Sequence, residues 1–235
     1  MFNPKPRIQP IRIDSDRYCY VVDDALADPQ SWIDYAVQYQ EHFQPSPHSA
    51  YPGPEMPMAD QIAAHLDSFF NVHIRRLLGA RRVQHMTSKM ALVTAKPEQL
   101  EPRQWICHRD RPDLPPEWYV AASVLYLFDN PALGGTNFYR TKRSAAETDR
   151  LIHDSGELSP EQFADQYGIE NDYLSQSNAW FKQVYTVEPK FNRMVFYDGN
   201  SFHCSDIPDP SALSADPAQG RLTMNGLFTC TRVAI

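Results

Sequence analysis

Several things are scarce in this sequence, and each scarcity excludes something. Its 235 residues include four cysteines, Cys19, Cys107, Cys204 and Cys230, with no CxxC pair among them. That spacing indicates neither a zinc knuckle nor a disulfide framework and fits reduced thiols. Cations are in deficit: 22 Lys and Arg against 29 Asp and Glu give a net charge of -7 and a pI near 5.6. A general affinity for nucleic acid or for an anionic membrane needs the opposite balance, so neither partner is expected. No apolar run approaches the roughly 20 residues that span a bilayer. The opening segment MFNPKPRIQP is polar and proline-rich, without the apolar stretch of a signal peptide. A cytoplasmic location is the expectation. Internal repeats and low-complexity tracts are also missing. With 42% hydrophobic and 22% charged residues, and 20 prolines against 9 glycines, the chain reads as folded and turn-rich. Its length suits one domain over 1–235, with supporting strands and helices in 1–80 and a β core in 81–235.

The first third alternates short β-prone runs with helices. Ile11 to Ile13 and Tyr18 to Val22 read as strands, and Asp28-Pro29 opens a helix to about Phe43 that carries Trp32, Ala36 and Tyr39 on one side. The segment 44–58, with Pro45, Pro47, Pro52, Pro54 and Pro57, suits neither a helix nor an inner strand and is expected to be an ordered loop or a lid. A second helix follows from Met58 to Leu78, with Gly79 at its end. Arg75, Arg76, Arg81 and Arg82 are expected near that end, complementing its dipole. From about Arg82 the period becomes two. Strands are expected at Met90 to Thr94, Tyr119 to Phe128, Thr136 to Tyr139, Val184 to Val187, Arg193 to Tyr197, Ser201 to Cys204 and Leu222 to Arg232. An insert of helical character occupies 140–182, with Ser159-Pro160-Glu161-Gln162 as a capped helix start. A series of strands without βαβ alternation predicts an antiparallel sandwich or barrel.

The chemistry lies in QWICHRDR and YDGNSFHCSD. On an extended segment His108 and Asp110 project to the same side while Arg109 points away. With His203 they make two imidazoles and one carboxylate, the donor set that takes one face of a ferrous ion and leaves the other open. Downstream, Arg221 in QGRLTMNG has a planar fork that pairs bidentately with a carboxylate. Cys107 and Cys204 adjoin two of these ligands but face the other way on a strand, so they read as buried structural thiols. His42, His48, His65, His73, His85 and His153 have no partner at ligand spacing.

Around these residues stand Leu125-Tyr126-Leu127, Gly134-Gly135-Thr136-Asn137-Phe138-Tyr139, Asn192 to Tyr197, and Arg221-Leu222-Thr223. In this order and spacing the stretch from Gln104 to Arg232 resembles the iron(II)- and 2-oxoglutarate-dependent oxygenases. Tyr51-Pro52-Gly53 adds a likeness to a bacterial group among them. The resemblance implies a mainly β (α+β) fold with flanking helices around a double-stranded β-helix, the cupin-like jelly roll. It implies Fe(II) held by His108, Asp110 and His203, with 2-oxoglutarate as cosubstrate. Arg221 would anchor the far carboxylate, Thr223 would donate to it, and Tyr126 is a further candidate for the same group. Asn225 would face the cosubstrate or bond to a neighbouring strand. Arg221 follows His203 by eighteen positions, a long interval containing Pro208, Pro210 and Pro217; Arg232 and Lys190 are the alternative anchors.

Asp110 occupies the place where halogenating relatives carry a small residue, so the resemblance implies a hydroxylase acting with dioxygen on an amino-acid, peptidyl or small-metabolite substrate. Trp105, Trp118 and Tyr119 flank the motif and line the pocket or fill the core. Two rivals share the fold: a cupin-like metalloenzyme that does not use 2-oxoglutarate, and a non-catalytic barrel that binds a protein partner. The sequence leaves the oligomeric state open.

Overall fold

The computed structural model describes residues 1–46, 50–110, 114–115 and 117–232; residues 47–49 of the proline-rich segment, and His48 with them, lie outside that set. Ten strands and four α-helices are described. In the first third these are β1 (Ile8–Arg12), β2 (Tyr18–Val22), α1 (Gln30–Gln38), β3 (Glu55–Pro57) and α2 (Asp60–Phe69). β4 (Ala80–Val93), β5 (Trp118–Tyr126), β6 (Thr136–Thr141), α3 (Ala145–Glu157) and α4 (Pro160–Tyr167) follow. The chain ends with β7 (Phe181–Val187), β8 (Arg193–Asp198), β9 (Phe202–Ser205) and β10 (Arg221–Arg232).

Seven strands form one antiparallel sheet in the order β1-β2-β8-β5-β10-β4-β3, and three form a second in the order β7-β6-β9. A bridge between His108 and His203 adds the HxD segment beside β9. The two sheets face each other as a double-stranded β-helix. Val21, Val93, Ala122, Tyr126, Val195 and Tyr197 from the large sheet interdigitate with Phe138, Tyr139, Phe181 and Phe202 from the small one. The outer face of the large sheet is covered by the helices, through Trp32, Ile33, Ala36, Leu66, Phe69 and Phe70 against Leu125, Phe196, Met224 and Phe228. β5 is therefore buried on both faces, which is why its run carries Ala121, Ala122 and Ser123 rather than alternating apolar and polar residues. Gly226 opposite Ser123 admits α2, since a Cβ there would meet Ser123 Oγ at 2.7 Å and Leu66 Cδ2 at 2.9 Å.

Differences from the expected elements have local causes. The first helix stops at Gln38 and yields to a 3-10 turn at Gln40–His42. α2 passes into one π turn over Phe70–Ile74, which sends the adjacent Phe69 and Phe70 inward together. β4 is far longer than the expected Met90 to Thr94. Its first half is largely exposed and has no apolar alternation, so pairing with Leu227–Arg232 of β10 imposes the strand. Arg81 and Arg82 accordingly stand on β4, not at a helix end. Among its described residues the proline-rich segment supplies β3, at the edge of the sheet where the missing N–H of Pro57 costs least. Ser159 caps α4 through a complete capping box with Gln162.

Candidate active site

Antiparallel register brings the HxD segment to the distal histidine. His108 N donates to His203 O at 3.0 Å and His203 N donates to His108 O at 2.9 Å, so the two residues are a hydrogen-bonded pair of neighbouring strands. Asp110 N donates to Gly199 O at 2.7 Å, which fixes the third residue beside the β8–β9 turn. Arg109 turns away, its guanidinium over the Phe202 ring at 4.8 Å and bonded to Asp149 at 3.1 Å. One ligand atom from each of His108, Asp110 and His203 lies within 4.8 Å of the others. Asp110 Oδ1 is 3.7 Å from His108 Nε2, and Oδ2 is 3.6 Å from His203 Nε2.

The donor set fits a divalent iron ion. Asp110 Oδ2 is buried without a hydrogen-bond partner, an oxygen with an obligation that protein does not meet. His203 Nδ1 lies 2.8 Å from Ser201 O; a carbonyl only accepts, so Nδ1 carries the proton and the Nε2 lone pair faces the cluster. The His108 side chain lines the cavity and is half exposed there. Burial pushes its pKa down to about 4, His203 adds to the shift and Asp110 opposes it. The imidazole is neutral at physiological pH, the form a metal takes.

The cluster opens into a cavity of about 320 Å³. Arg221, Thr223 and Asn225 line it along one face of β10, with Lys89 of β4 beside them. The 44–58 segment contributes Tyr51, Pro52 and Glu55, and the insert contributes Tyr173 and Leu174. Arg221 is 1% exposed. Its Nε donates to Leu133 O at 2.9 Å and Gly134 O at 3.3 Å, and its Nη2 to Gly135 O at 2.6 Å. The Gly-Gly turn lies close against neighbouring backbone: a Cβ on Gly134 would fall 2.0 Å from Asp206 O, and one on Gly135 would fall 1.9 Å from Val187 O. The turn so held presents the carbonyls of Leu133, Gly134 and Gly135 to the buried arginine.

Thr223 Oγ1 lies 3.4 Å from Tyr51 Oη. Tyr51 is held by its own loop. Pro52 O accepts from Thr94 N and Ala95 N, and a Cβ on Gly53 would sit 2.0 Å from Leu92 O, so only glycine lets the Tyr-Pro-Gly turn lie flat on β4. Tyr126 is fully buried, and its hydroxyl pairs with Thr136 Oγ1 at 2.7 Å. Thr136 lines the cavity, so Tyr126 stands one residue behind the wall.

The alternative anchors lie elsewhere: Lys190 pairs with Asp23 at 2.9 Å, and Arg232 stacks on Tyr119 at 5.2 Å. Trp105 is buried with its Nε1 on Leu100 O, and Tyr119 belongs to the outer core. Cys107 is buried, whereas Cys204 is half-buried and reaches the cavity wall. Reasoning from sequence missed Lys89, Glu55, Gln104 and Tyr173 as wall residues; the Tyr-Pro-Gly turn was the one available signal on that side.

A jelly roll whose sheets converge on a His-Asp-His cluster, with a buried arginine in the same cavity, defines a candidate metal-dependent barrel. Over residues 4–228 the chain matches the model of a family described as a family of unknown function (DUF6445), and it belongs to that family. No curated protein matches the sequence.

Among solved structures, the non-heme alpha-ketoglutarate-dependent epimerase SnoN from nogalamycin biosynthesis aligns over 92% of this chain and 81% of its own, at 10% identity and TM-score 0.48. An N-substituted L-amino acid dioxygenase from Burkholderia ambifaria AMMD aligns over 89% and 80%, at 11% identity and TM-score 0.37. EvdMO1 aligns over 91% and 47%, at 16% identity and TM-score 0.41. With all three TM-scores below 0.5, the functional reading rests on this chain's own residues. No helix among the described residues is long and apolar enough to cross a membrane.

Proposed function

We propose that the protein is an Fe(II)- and 2-oxoglutarate-dependent oxygenase that hydroxylates an amino-acid, peptidyl or small-metabolite substrate. The observation that carries this reading is the sharing of one cavity by a three-residue ligand cluster and a buried arginine. His108, Asp110 and His203 would hold the metal, and Arg221 would pair with the far carboxylate of the keto acid, with Thr223 as a second donor. Iron(II) and the keto acid, when bound, supply the oxidising chemistry on dioxygen.

The chain's own work is positioning. The backbone pair between His108 and His203 sets the angle between two ligands, Ser201 fixes the tautomer of one, and Gly199 holds the third. The three carbonyls on Arg221 leave its guanidinium no freedom to swing, so its charge is already in place before a ligand arrives. Ile106, Val124 and Leu227 supply apolar wall beside the polar groups.

Purified protein supplied with Fe(II) should consume 2-oxoglutarate and form succinate, and His108→Ala and Asp110→Ala should each abolish that turnover. Turnover retained in both variants would overturn the assignment. One observation favours a second reading, a cupin-like metalloenzyme that does not use 2-oxoglutarate: the same three carbonyls give Arg221 a structural occupation. Keto-acid affinity of Arg221 variants separates the two.

A further inference from the structure

Two thiols meet behind the His-Asp-His cluster, and the oxygenase reading uses neither. His108 and His203 exchange both backbone hydrogen bonds, at 3.0 and 2.9 Å, as a hydrogen-bonded pair of antiparallel strands does. The neighbouring pair on each side is therefore of the non-hydrogen-bonded kind, with its side chains on the face away from the cluster. On one side that pair is Arg109 and Phe202, and the guanidinium lies over the Phe202 ring at 4.8 Å. On the other it is Cys107 and Cys204. One step further, Ile106 and Ser205 return to the cavity wall, as the alternation requires. The thiols are close enough for Cys204 to add to the upward pKa shift that burial gives Cys107.

A non-hydrogen-bonded antiparallel pair holds its Cα atoms about 4.5 Å apart, within the roughly 4.4–6.8 Å that a disulfide spans. The strands need neither part nor slide for the two sulfurs to bond. The remaining cysteines provide a contrast, because Cys19 stands opposite Ile11, and Cys230 opposite Val83 and Tyr119. Access to the pair is one-sided. Cys107 is fully buried, whereas Cys204 is half-buried at the cavity wall, its Sγ 3.4 Å from Leu174 O. Burial pushes the Cys204 thiol up to about 12, so the pair rests reduced and yields only to sustained oxidant.

We propose that Cys107 and Cys204 are a modification site, which hydrogen peroxide converts to a disulfide that loosens the metal cluster on the opposite face of the same two strands. Peroxide oxidises the Cys204 thiol to a sulfenic acid and leaves as water. The Cys107 sulfur then attacks the Cys204 sulfur: the S–S bond forms, the S–O bond breaks, and hydroxide departs with the Cys107 proton as a second water. Two thiols and one peroxide become one disulfide and two waters, with two electrons passing from sulfur to oxygen. Closing the bond draws the Cβ atoms from about 4.5 Å to about 3.8 Å. A pinch on one face of two strands splays what they carry on the other, and His108 and His203 each adjoin the bond. Their ligand atoms, within 4.8 Å of one another and of Asp110 in the reduced protein, separate, and metal affinity falls. This coupling rests on the metal assignment proposed above.

The test treats reduced protein, freed of metal by a chelator, with excess hydrogen peroxide, removes the peroxide with catalase, and alkylates the remaining thiols after unfolding. Peptide mass mapping should show Cys107 joined to Cys204, with Cys19 and Cys230 alkylated. Manganese(II), titrated calorimetrically, should bind the oxidised protein at least tenfold more weakly than the reduced one, and dithiothreitol should restore the affinity. Cys204→Ser, treated alike, should lose no affinity; if that variant fails to fold, reversal by dithiothreitol in the wild type decides. Four alkylated cysteines, or Cys204 carried on to a sulfinic acid beside a free Cys107, overturns the proposal. So does a disulfide that leaves manganese affinity unchanged. Reduced protein that binds no manganese overturns the metal reading and the coupling with it, while the mass map still decides the disulfide.

Discussion

Replacing Arg221 tests the fold and the proposed chemistry in one experiment. Two of its three contacts are short, at 2.9 and 2.6 Å, and all acceptors are backbone carbonyls of the 133–135 turn. A hydrogen bond to a charged group contributes about 1.5–3 kcal/mol, and a buried carbonyl left without its donor bears its full desolvation penalty. Arg221→Met should therefore cost about 3–5 kcal/mol. For a domain of this size that lowers Tm by roughly 10 °C. Arg221→Lys keeps the charge and loses the fork, so it should fall between wild type and Met in stability.

The functional prediction is separate. If Arg221 anchors the keto acid, both variants should bind 2-oxoglutarate at least about 100-fold more weakly, close to 2.7 kcal/mol, measured by calorimetry on manganese(II)-loaded protein below the melting temperature of the variants. A destabilised Arg221→Lys that retains wild-type keto-acid affinity would refute the anchor and assign the arginine to the Gly-Gly turn alone.

Further predictions concern the core, the loop and acid stability. Phe70 and Phe228 are fully buried and stacked at 3.9 Å; Phe228→Ala should cost about 3–5 kcal/mol by denaturant titration, and a loss below 1 kcal/mol would contradict the packing. Gly53→Ala places a methyl group 2.0 Å from Leu92 O. It should unseat the Tyr51 turn and weaken keto-acid binding about tenfold, near 1.4 kcal/mol, with calorimetry as the check. Asp23 is gripped by Arg193 at 2.7 Å and Lys190 at 2.9 Å. The Arg193 bond, against opposing desolvation, holds its pKa at about 2. Because the folded value is depressed, the pair stabilises fully above the ordinary carboxylate range and fades as pH falls from about 4 towards 2. After discounting for solvent screening at this half-open site, Asp23→Asn should cost about 1 kcal/mol at pH 7 and progressively less as pH falls through about 2, so a pH-independent difference would contradict the linkage.

Strands that are buried on one or both faces announce themselves in sequence. β2, β8 and β10 lie within a residue of the stretches that composition and alternation predict, because each must present apolar side chains to a core. The first half of β4 does not. β4 from Arg81 to Thr87 is half-exposed and takes its conformation from its partner strand, while α3 carries only Thr148, Leu151 and Ser155 as buried residues. α3 lies within the insert expected to be helical and opens on a Ser144–Glu147 capping box, whereas the first half of β4 has no pattern to read without its neighbour, which is where tertiary context outweighs local preference.

The proposed site divides along the same line. Residues placed by short-range geometry were legible: His108 and Asp110 share a strand face, Arg221 and Thr223 share another, and the Gly-Gly turn beside Thr136 marks a close backbone approach. The eighteen-residue interval before Arg221 is absorbed by a 3-10 turn at Pro210–Ala212 and the turn ending at Gly220, where Gly220 N donates to Asp216 O at 2.7 Å. Lys89 and Glu55 could not be read this way. They are 34 residues apart, separated by a whole helix, and meet only because β3 joins the edge of β4 with Glu55 opposite Ala91 and Pro57 opposite Lys89. A motif records residues whose spacing is fixed along one strand, whereas an edge pairing fixes residues across strands and leaves no constant spacing behind. His108 with Asp110, and Arg221 with Thr223, are of the first kind, whereas the meeting of the HxD segment with His203 and that of Glu55 with Lys89 are of the second.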